Sequence, residues 1–400
     1  MTKSQDSSPV EPKDRSDEGE DHATDTKADD NKVKLPPSVD LLRGHSYGRT
    51  LADDNTKSIL LRKHLPIGLR ANILGNFIHE VFEHWSPYND STSPESHQQT
   101  LKEAIFHKLK QENHFMGDYS SQHFHHLNEQ SLALLRKEDL DALEQLTSEL
   151  WTITHSPLGG LFDDQCTLAS FTPQDVMHEM EFNFPILQGK QTQGSIKFGA
   201  FKKAFAIGIE EQVELEVDQS MLGIMKAQNQ ALAGYQDDRE LSGLMTGSID
   251  LCFRKETLGH DQVMRSVYFL ADYKSNYVTL TSKEEELFDQ YMAYHPTHLG
   301  YYMIKSNYHL QAHLYLVALH RYLKRRIKNY DYDLHVGGYY YLFVRGMIGK
   351  SALIPNETKT VQHQFSAETN LSPALGSFYY KPPKARIEAL SQCFTKEGDA

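Results

Sequence analysis

Asp272, Tyr273 and Lys274 fall near the end of the run LADYKSN, residues 270–276. On an extended strand alternate residues share a face, so Asp272 and Lys274 point the same way and Tyr273 opposes them. A second carboxylate, Asp250, sits inside the apolar run GSIDLCF. Burying a carboxylate is costly unless it is paired or bound to a metal. A turn joining the two runs would bring Asp250 and Asp272 together, and they would repel unless a cation lay between them. Hard divalent cations such as Mg²⁺ take oxygen ligands and keep several waters. A lysine beside such an ion can orient or deprotonate a water and counter charge growing on a phosphate. The plain alternative is a surface ion pair at 272 and 274 and a turn-capping Asp250. Each half alone fits that alternative; the two together, in this order, favour a metal site.

The elements that must position these residues follow from hydrophobic spacing. LGNFIHEVFEHW (74–85) places Leu74, Phe77, Ile78, Val81, Phe82 and Trp85 at helical intervals, with His79 off the stripe. Residues 97–150 read as mostly helical and polar. VMHEMEFNFPI (176–186) alternates and reads as a strand, and IKFGAFKKAFAIGIEEQVELEV (196–217) as one or two short strands. TGSIDLCFRK (246–255) and SVYFLADYKSN (266–276) form a hairpin-like pair around a polar turn. YHLQAHLYLVALHRYLKRRIK (308–328) is a periodic helix, GGYYYLFVRGM (337–347) a buried strand, and KARIEALSQCF a short amphipathic helix. Helix, strands, helix, strand, helix argues for an α/β sheet flanked by helices.

Composition sets the outer bounds. The chain has 400 residues, 41 basic and 54 acidic, for a net charge of −13. An acidic body argues against non-specific nucleic-acid binding by long-range attraction, so any such contact needs a local basic patch or a partner that delivers the strand. The densest basic run is His320, Arg321, Lys324, Arg325, Arg326 and Lys328, at the end of the 308–328 helix. Such a run either contacts phosphates or a partner, or complements the helix dipole as a solvated end. Residues 1–40 are rich in Ser, Asp, Glu, Lys and Pro and read as a disordered acidic tail or linker, with the globular domain over 41–400. The three cysteines form no CxxC pair, which excludes a disulfide framework and a four-cysteine cluster and fits a reducing setting. The N-terminus lacks the apolar core of a signal peptide, and no run approaches the roughly 18 apolar residues of a membrane helix. A soluble cytoplasmic chain is therefore expected. RGMIGKS resembles a P-loop, but that motif needs glycine where Val344 stands. HFHH (123–126) has no matching Cys or His group and reads as polar surface.

The spacing of Asp250 and Asp272-x-Lys274 is that of the PD-(D/E)XK nucleases, a short motif on its own. Longer stretches add to it: LPIGLRANILGNFIHEVFE, HEMEFNFPI, GLMTGSIDLCFR, YFLADYKSN, LQAHLYLVALHRYL and YDYDLHVGGYYYLFVRGM occur in this order. Together they resemble the C-terminal nuclease domain of the RecB subunit of the bacterial RecBCD enzyme, over about residues 60–392, with a divergent stretch between Trp85 and Trp151. The resemblance implies a restriction-endonuclease-like fold and an Mg²⁺-dependent deoxyribonuclease. It implies that His79, Asp250 and Asp272 are metal ligands, that the Tyr273 carbonyl adds a contact, and that Lys274 is the catalytic lysine. An acidic residue on the preceding strand is also implied. Glu179 and Glu181 both qualify, and Glu179 is favoured by its place three before Phe182. Gln311 and Tyr315 match a Q-x-x-x-Y motif, four apart on one helical face, and would border the site and steady it or the DNA; core packing is the alternative for Tyr315. Arg321 and Arg325 would extend that border. Implied partners are single-stranded or unwound DNA, RecC- and RecD-like subunits, a helicase motor and RecA. No motor motif occurs in the chain, which therefore reads as the nuclease end alone. A non-catalytic docking module for RecC- or RecA-like partners is the rival reading; its mark would be lost metal ligands, and all are present.

Overall fold

The computed structural model describes residues 74–85, 94–163, 165–186, 195–208, 238, 240–258, 262–278, 293–349 and 374–394. All belong to one compact unit, Gly44–Ala400. The tail expected over residues 1–40 lies outside the described residues. The helices are α1 (Leu74–His84), α2 (Pro94–Gln111), α3 (Glu129–Leu132), α4 (Lys137–Thr154), α5 (Phe198–Ala206), α6 (Pro296–Lys305), α7 (Tyr308–Arg326), α8 (Tyr332–His335) and α9 (Lys384–Cys393). The strands are β1 (Val176–Ile186), β2 (Ser195–Lys197), β3 (Glu240–Leu258), β4 (Met264–Lys274), β5 (Val336–Phe343) and β6 (Ser377–Tyr380).

The sheet runs β1-β3-β4-β5-β6, with short β2 also pairing β3. Its pairs are antiparallel except β4–β5, which is parallel. The mixed sheet flanked by helices has the restriction-endonuclease-like arrangement. Helices α1, α2 and α4 share one core cluster with Leu251, Phe253, Phe269, Ala271, Tyr273, Tyr340 and Leu342. These sheet residues alternate, so the helices cover one face. Helix α7 covers the other: Tyr339 and Tyr341 of β5 hydrogen-bond to its His309 and Gln311. With both faces covered, every residue of β5 is buried, which accounts for the unbroken apolar and aromatic run VGGYYYLF.

Two glycines open that run because β5 bulges there. The register steps from Tyr268↔Val336 to Phe269↔Gly338, leaving Gly337 unpaired. Gly338 has φ +119°, and a Cβ there would lie 2.7 Å from the Tyr380 carbonyl oxygen. Only glycine fits such a backbone.

Of the one or two short strands expected over 196–217 one is present, and it is followed by a helix that the expectation did not include. Ser195–Lys197 is a strand, but Phe198–Ala206 is helical. Phe198, Phe201, Ala204 and Phe205 recur at helical spacing and form its buried face, so tertiary burial selects period 3.6 over the β preference of phenylalanine. Residues 209–217 lie outside the described residues. No helix of the described residues is long and apolar enough to cross a membrane.

Candidate metal centre

The hairpin expected around the polar turn is the β3–β4 pair, and its register sets the site. Leu251 pairs with Ala271, so one step further along the ladder Asp250 faces Asp272. On the other side of β3, His178↔Leu251 and Met180↔Ile249 flank Glu179 and Asp250, which face one another. In the parallel pair Asp272 faces Tyr341. Glu179, Asp250, Asp272 and Tyr341 thus form one row across four neighbouring strands.

Glu179 enters the row with φ +45°, a left-handed conformation inside a strand. A non-glycine residue adopts it at a cost of order 1–3 kcal/mol and keeps it only when its surroundings hold it. Ser248 supplies one hold, donating its hydroxyl to Glu179 Oε2 at 2.6 Å. Glu181 is exposed.

His79 arrives from the helical layer. Its Nε2 donates to the Tyr273 carbonyl at 2.8 Å, and its Nδ1 lies 3.3 Å from Asp250 Oδ2. The same Oδ2 accepts the Tyr273 N–H at 2.8 Å. A carbonyl can only accept, so Nε2 carries a hydrogen, and a neutral ring then turns a lone pair toward Asp250. That contact needs a proton or a cation. One ligand atom each from His79, Glu179 and Asp250 lie within 4.8 Å of one another. Asp272 adjoins this triad; it is 2 % exposed and ion-paired through Oδ1 with Lys274.

Electrostatics favours positive charge here. Burial first, then the neighbouring Asp272, pushes the Asp250 carboxyl up to about 7. Burial also raises Asp272, against the pull of Lys274. Lys274 is paired with Asp272, so ionising the neighbouring Asp250 as well calls for a further cation. A donor set of one imidazole and carboxylate oxygens suits a hard or borderline divalent ion, so the residues present fit Mg²⁺ or a similar ion.

Tyr341 donates to Gln311 Oε1 at 2.8 Å, and Gln311 Nε2 donates to the Tyr315 hydroxyl at 2.9 Å. Burial, then Asp272 and Asp250, raises the Tyr315 hydroxyl, which keeps it protonated beside the acidic row. Gln311 and Tyr315 therefore stand over the site. Arg321 and Arg325 do not: at 1.5 Å rise per residue they lie about 15 and 21 Å along α7 from Gln311. Arg321 packs on the Phe184 ring at 5.1 Å, and Arg325 is exposed. His320 leaves the basic run altogether. It is buried against the Tyr330 hydroxyl, and burial pushes it down to about 4, so it is neutral at pH 7.

Sequence reasoning passed over Tyr308, Asn276 and Ser248. Ser248 stands two before Asp250, on the same face of β3, and that spacing is a usable signal. Tyr308 stands three before Gln311 on one helical face; its ring lies 4.5 Å from Lys274 Nζ and its hydroxyl donates to Asn276 Oδ1 at 3.0 Å.

No family model matches the chain. Curated relatives do. The RecBCD enzyme subunit RecB of Mycolicibacterium smegmatis is 28% identical over 258 residues, 63% of this chain and 20% of that protein. RecB of Escherichia coli K12 is 40% identical over 108 residues, 27% of this chain and 8% of that protein. RecB of Mycobacterium tuberculosis H37Rv is 35% identical over 154 residues, 38% of this chain and 11% of that protein. The chain is related to RecB. It spans a fifth or less of the length of these RecB relatives.

Proposed function

We propose that the chain is a metal-dependent deoxyribonuclease that hydrolyses DNA phosphodiester bonds, working as the nuclease part of a RecBCD-type exonuclease V in double-strand break repair and recombination. The observation that carries this reading is the row Glu179–Asp250–Asp272 with His79 at one side and Lys274 at the other. A bound Mg²⁺ supplies a water of lowered pKa and neutralises charge at the scissile phosphate. His79, Glu179, Asp250 and Asp272 would hold it, with the Tyr273 carbonyl adjacent. Lys274 holds a proton-rich ammonium beside Asp272, where it orients the attacking water and meets the developing negative charge. The protonated hydroxyl of Tyr315 and the amide of Gln311 offer donors to a phosphate over the site. None of these groups reads a base edge, so little sequence preference is expected.

RecC- and RecD-like subunits and a helicase motor are the partners this reading implies, because the relatives are named as subunits of the RecBCD enzyme. The unwound strand would then be delivered mechanically, which suits an acidic body. Cytoplasmic action follows from the same reading. The test is nucleotide release from linear single-stranded DNA with Mg²⁺ and with EDTA, for the parent, Asp272→Ala and Lys274→Ala. The expected result is cation-dependent release by the parent and loss of at least about a hundredfold in each variant, the scale of removing one charge-stabilising group. Variants that cut as fast as the parent would refute it.

A further inference from the structure

Lys274 is held in a way the ion pair with Asp272 does not account for. Its Nζ lies 4.5 Å from the centre of the Tyr308 ring and 5.3 Å from that of Tyr341. The rings pack side by side, 5.6 Å apart and inclined by 31°, and both lie within cation–π reach of the one ammonium, which makes them the aromatic side of its cage. They come from different elements, Tyr308 from the first turn of α7 and Tyr341 from the middle of β5. Each ring is fixed at its far end. The Tyr308 hydroxyl donates to Asn276 Oδ1 at 3.0 Å, and the Tyr341 hydroxyl to Gln311 Oε1 at 2.8 Å.

The segment after Lys274 is clamped as firmly. Arg345 Nε donates to the Ser275 carbonyl at 2.7 Å. The Tyr294 hydroxyl donates to the Asn276 carbonyl at 3.0 Å and accepts the Val278 N–H at 3.1 Å. The backbone that carries Lys274 is therefore pinned, and the rings fix what remains free, the four-carbon stem and its ammonium.

The need for such a cage follows from charge. An ammonium bound only to Asp272 competes with any cation for that carboxylate. A ring face attracts an ammonium through its quadrupole, takes up no N–H as a hydrogen-bond acceptor would, and does not compete for the metal. We propose that Tyr308, with Tyr341, is a positioning residue for Lys274: the two rings retain the ammonium beside the site when Asp272 turns to a cation, leaving its N–H groups free for the water and the phosphate. The proposal rests on the nuclease reading for its kinetic consequence but not for its geometry.

Two measurements test it. The first uses no activity. In full-length protein with lysines ¹³C-labelled at Cε, and the Lys274 signal assigned through Lys274→Arg, the Lys274 methylene protons are expected upfield of the other lysines from the ring currents of Tyr308 and Tyr341. They should move back in Tyr308→Leu, stay in Tyr308→Phe, and remain upfield when Mg²⁺ is added to the parent. A Lys274 signal within the common lysine envelope, or one that leaves the upfield region on Mg²⁺ addition, overturns the cage. The second is kinetic. Tyr308→Leu is expected to lower kcat about tenfold with KM unchanged, and Tyr308→Phe to restore most of it. A raised KM with unchanged kcat would make Tyr308 a stacking surface for DNA instead, and equal losses in Leu and Phe would make the hydroxyl the element that matters; either overturns the proposal. An inactive parent refutes the nuclease reading, and the resonance position still decides the cage.

Discussion

Asp250→Asn should make the protein more stable while removing its cation response. In the absence of metal, burial and the neighbouring Asp272 lift the Asp250 carboxyl from an ordinary 3.8 to about 7. At about 1.4 kcal/mol per tenfold change in proton affinity, that rise is a penalty of roughly 4 kcal/mol on the folded, ionised state. The sign is fixed by where the proton sits. Between 3.8 and about 7 the folded state holds a proton that the unfolded chain has released. Stability therefore falls as pH rises through that window and stays low above it. Asparagine keeps the shape and an oxygen for the Tyr273 N–H, and carries no charge. In EDTA at pH 8 the variant is expected to gain on the order of 2–4 kcal/mol over the parent; the rise to about 7 already includes the attraction of His79 and Lys274, and the lower figure allows for burying an imperfectly paired amide NH₂. At pH 4.5 the gain should shrink toward zero, because the parent carboxyl is then protonated. Urea unfolding at both pH values, with and without Mg²⁺, measures this. Mg²⁺ should stabilise the parent strongly and the variant little. A variant less stable than the parent at pH 8 in EDTA would show that Asp250 is satisfied without a cation, and the electrostatic case for a metal centre would collapse.

Ser248→Ala removes the hydroxyl that holds Glu179 and is expected to weaken apparent Mg²⁺ affinity about tenfold, as losses of ligand-orienting groups do; a Mg²⁺ titration of the thermal midpoint reads it, and an unchanged curve would place Glu179 outside the cation's reach. Arg321→Ala is expected to cost about 1 kcal/mol of stability through its lost contact with Phe184, with kcat on short oligonucleotides unchanged, since the residue stands far along α7 from the site. Chemical denaturation and steady-state kinetics separate the two effects, and a kcat loss without a stability loss would restore Arg321 to the active-site border.

Much of the site was legible because period-2 alternation is local. Asp250, Asp272 and Lys274 occupy two strands that follow one another closely in the chain, so their facing needed only a register. His79 stands more than a hundred residues away on a helix from the other layer, and nothing in its own neighbourhood signals a ligand; only the resemblance to known nucleases pointed to it. Glu179 and Glu181 could not be separated by alternation, which puts both on one face. The left-handed backbone at Glu179 is a tertiary event, held by Ser248 and invisible to any strand template. The helix Phe198–Ala206 was missed for the opposite reason: its phenylalanines favour strands on their own, and the helix exists because its apolar stripe has a core to fill. Charge counting missed His320, since burial and not residue type decides whether an imidazole is cationic at pH 7.

The way His79 reaches the carboxylates explains why α1 must sit where it does. The site lies in a sheet whose other face carries α1, so His79 has to approach past the end of β4. It does so by standing edge-on to Tyr273, whose ring also packs on Phe82 of α1 at 5.3 Å. Helix and strand must then come close, and Gly75 permits it: a Cβ at that position would meet the Ser275 hydroxyl oxygen at 2.7 Å. Gly75 lies one turn before His79, so the residue that lets α1 approach and the residue that approaches share one helical face. On β4, Ser275 directly follows Lys274. The close approach of helix to strand therefore lies one residue from the ammonium and one turn from the imidazole. A Cβ at 75 would have to turn the Ser275 hydroxyl aside, and a bulkier side chain would press on the strand next to Lys274, which ties the spacing of the centre to helix-to-sheet packing as well as to the charged residues themselves.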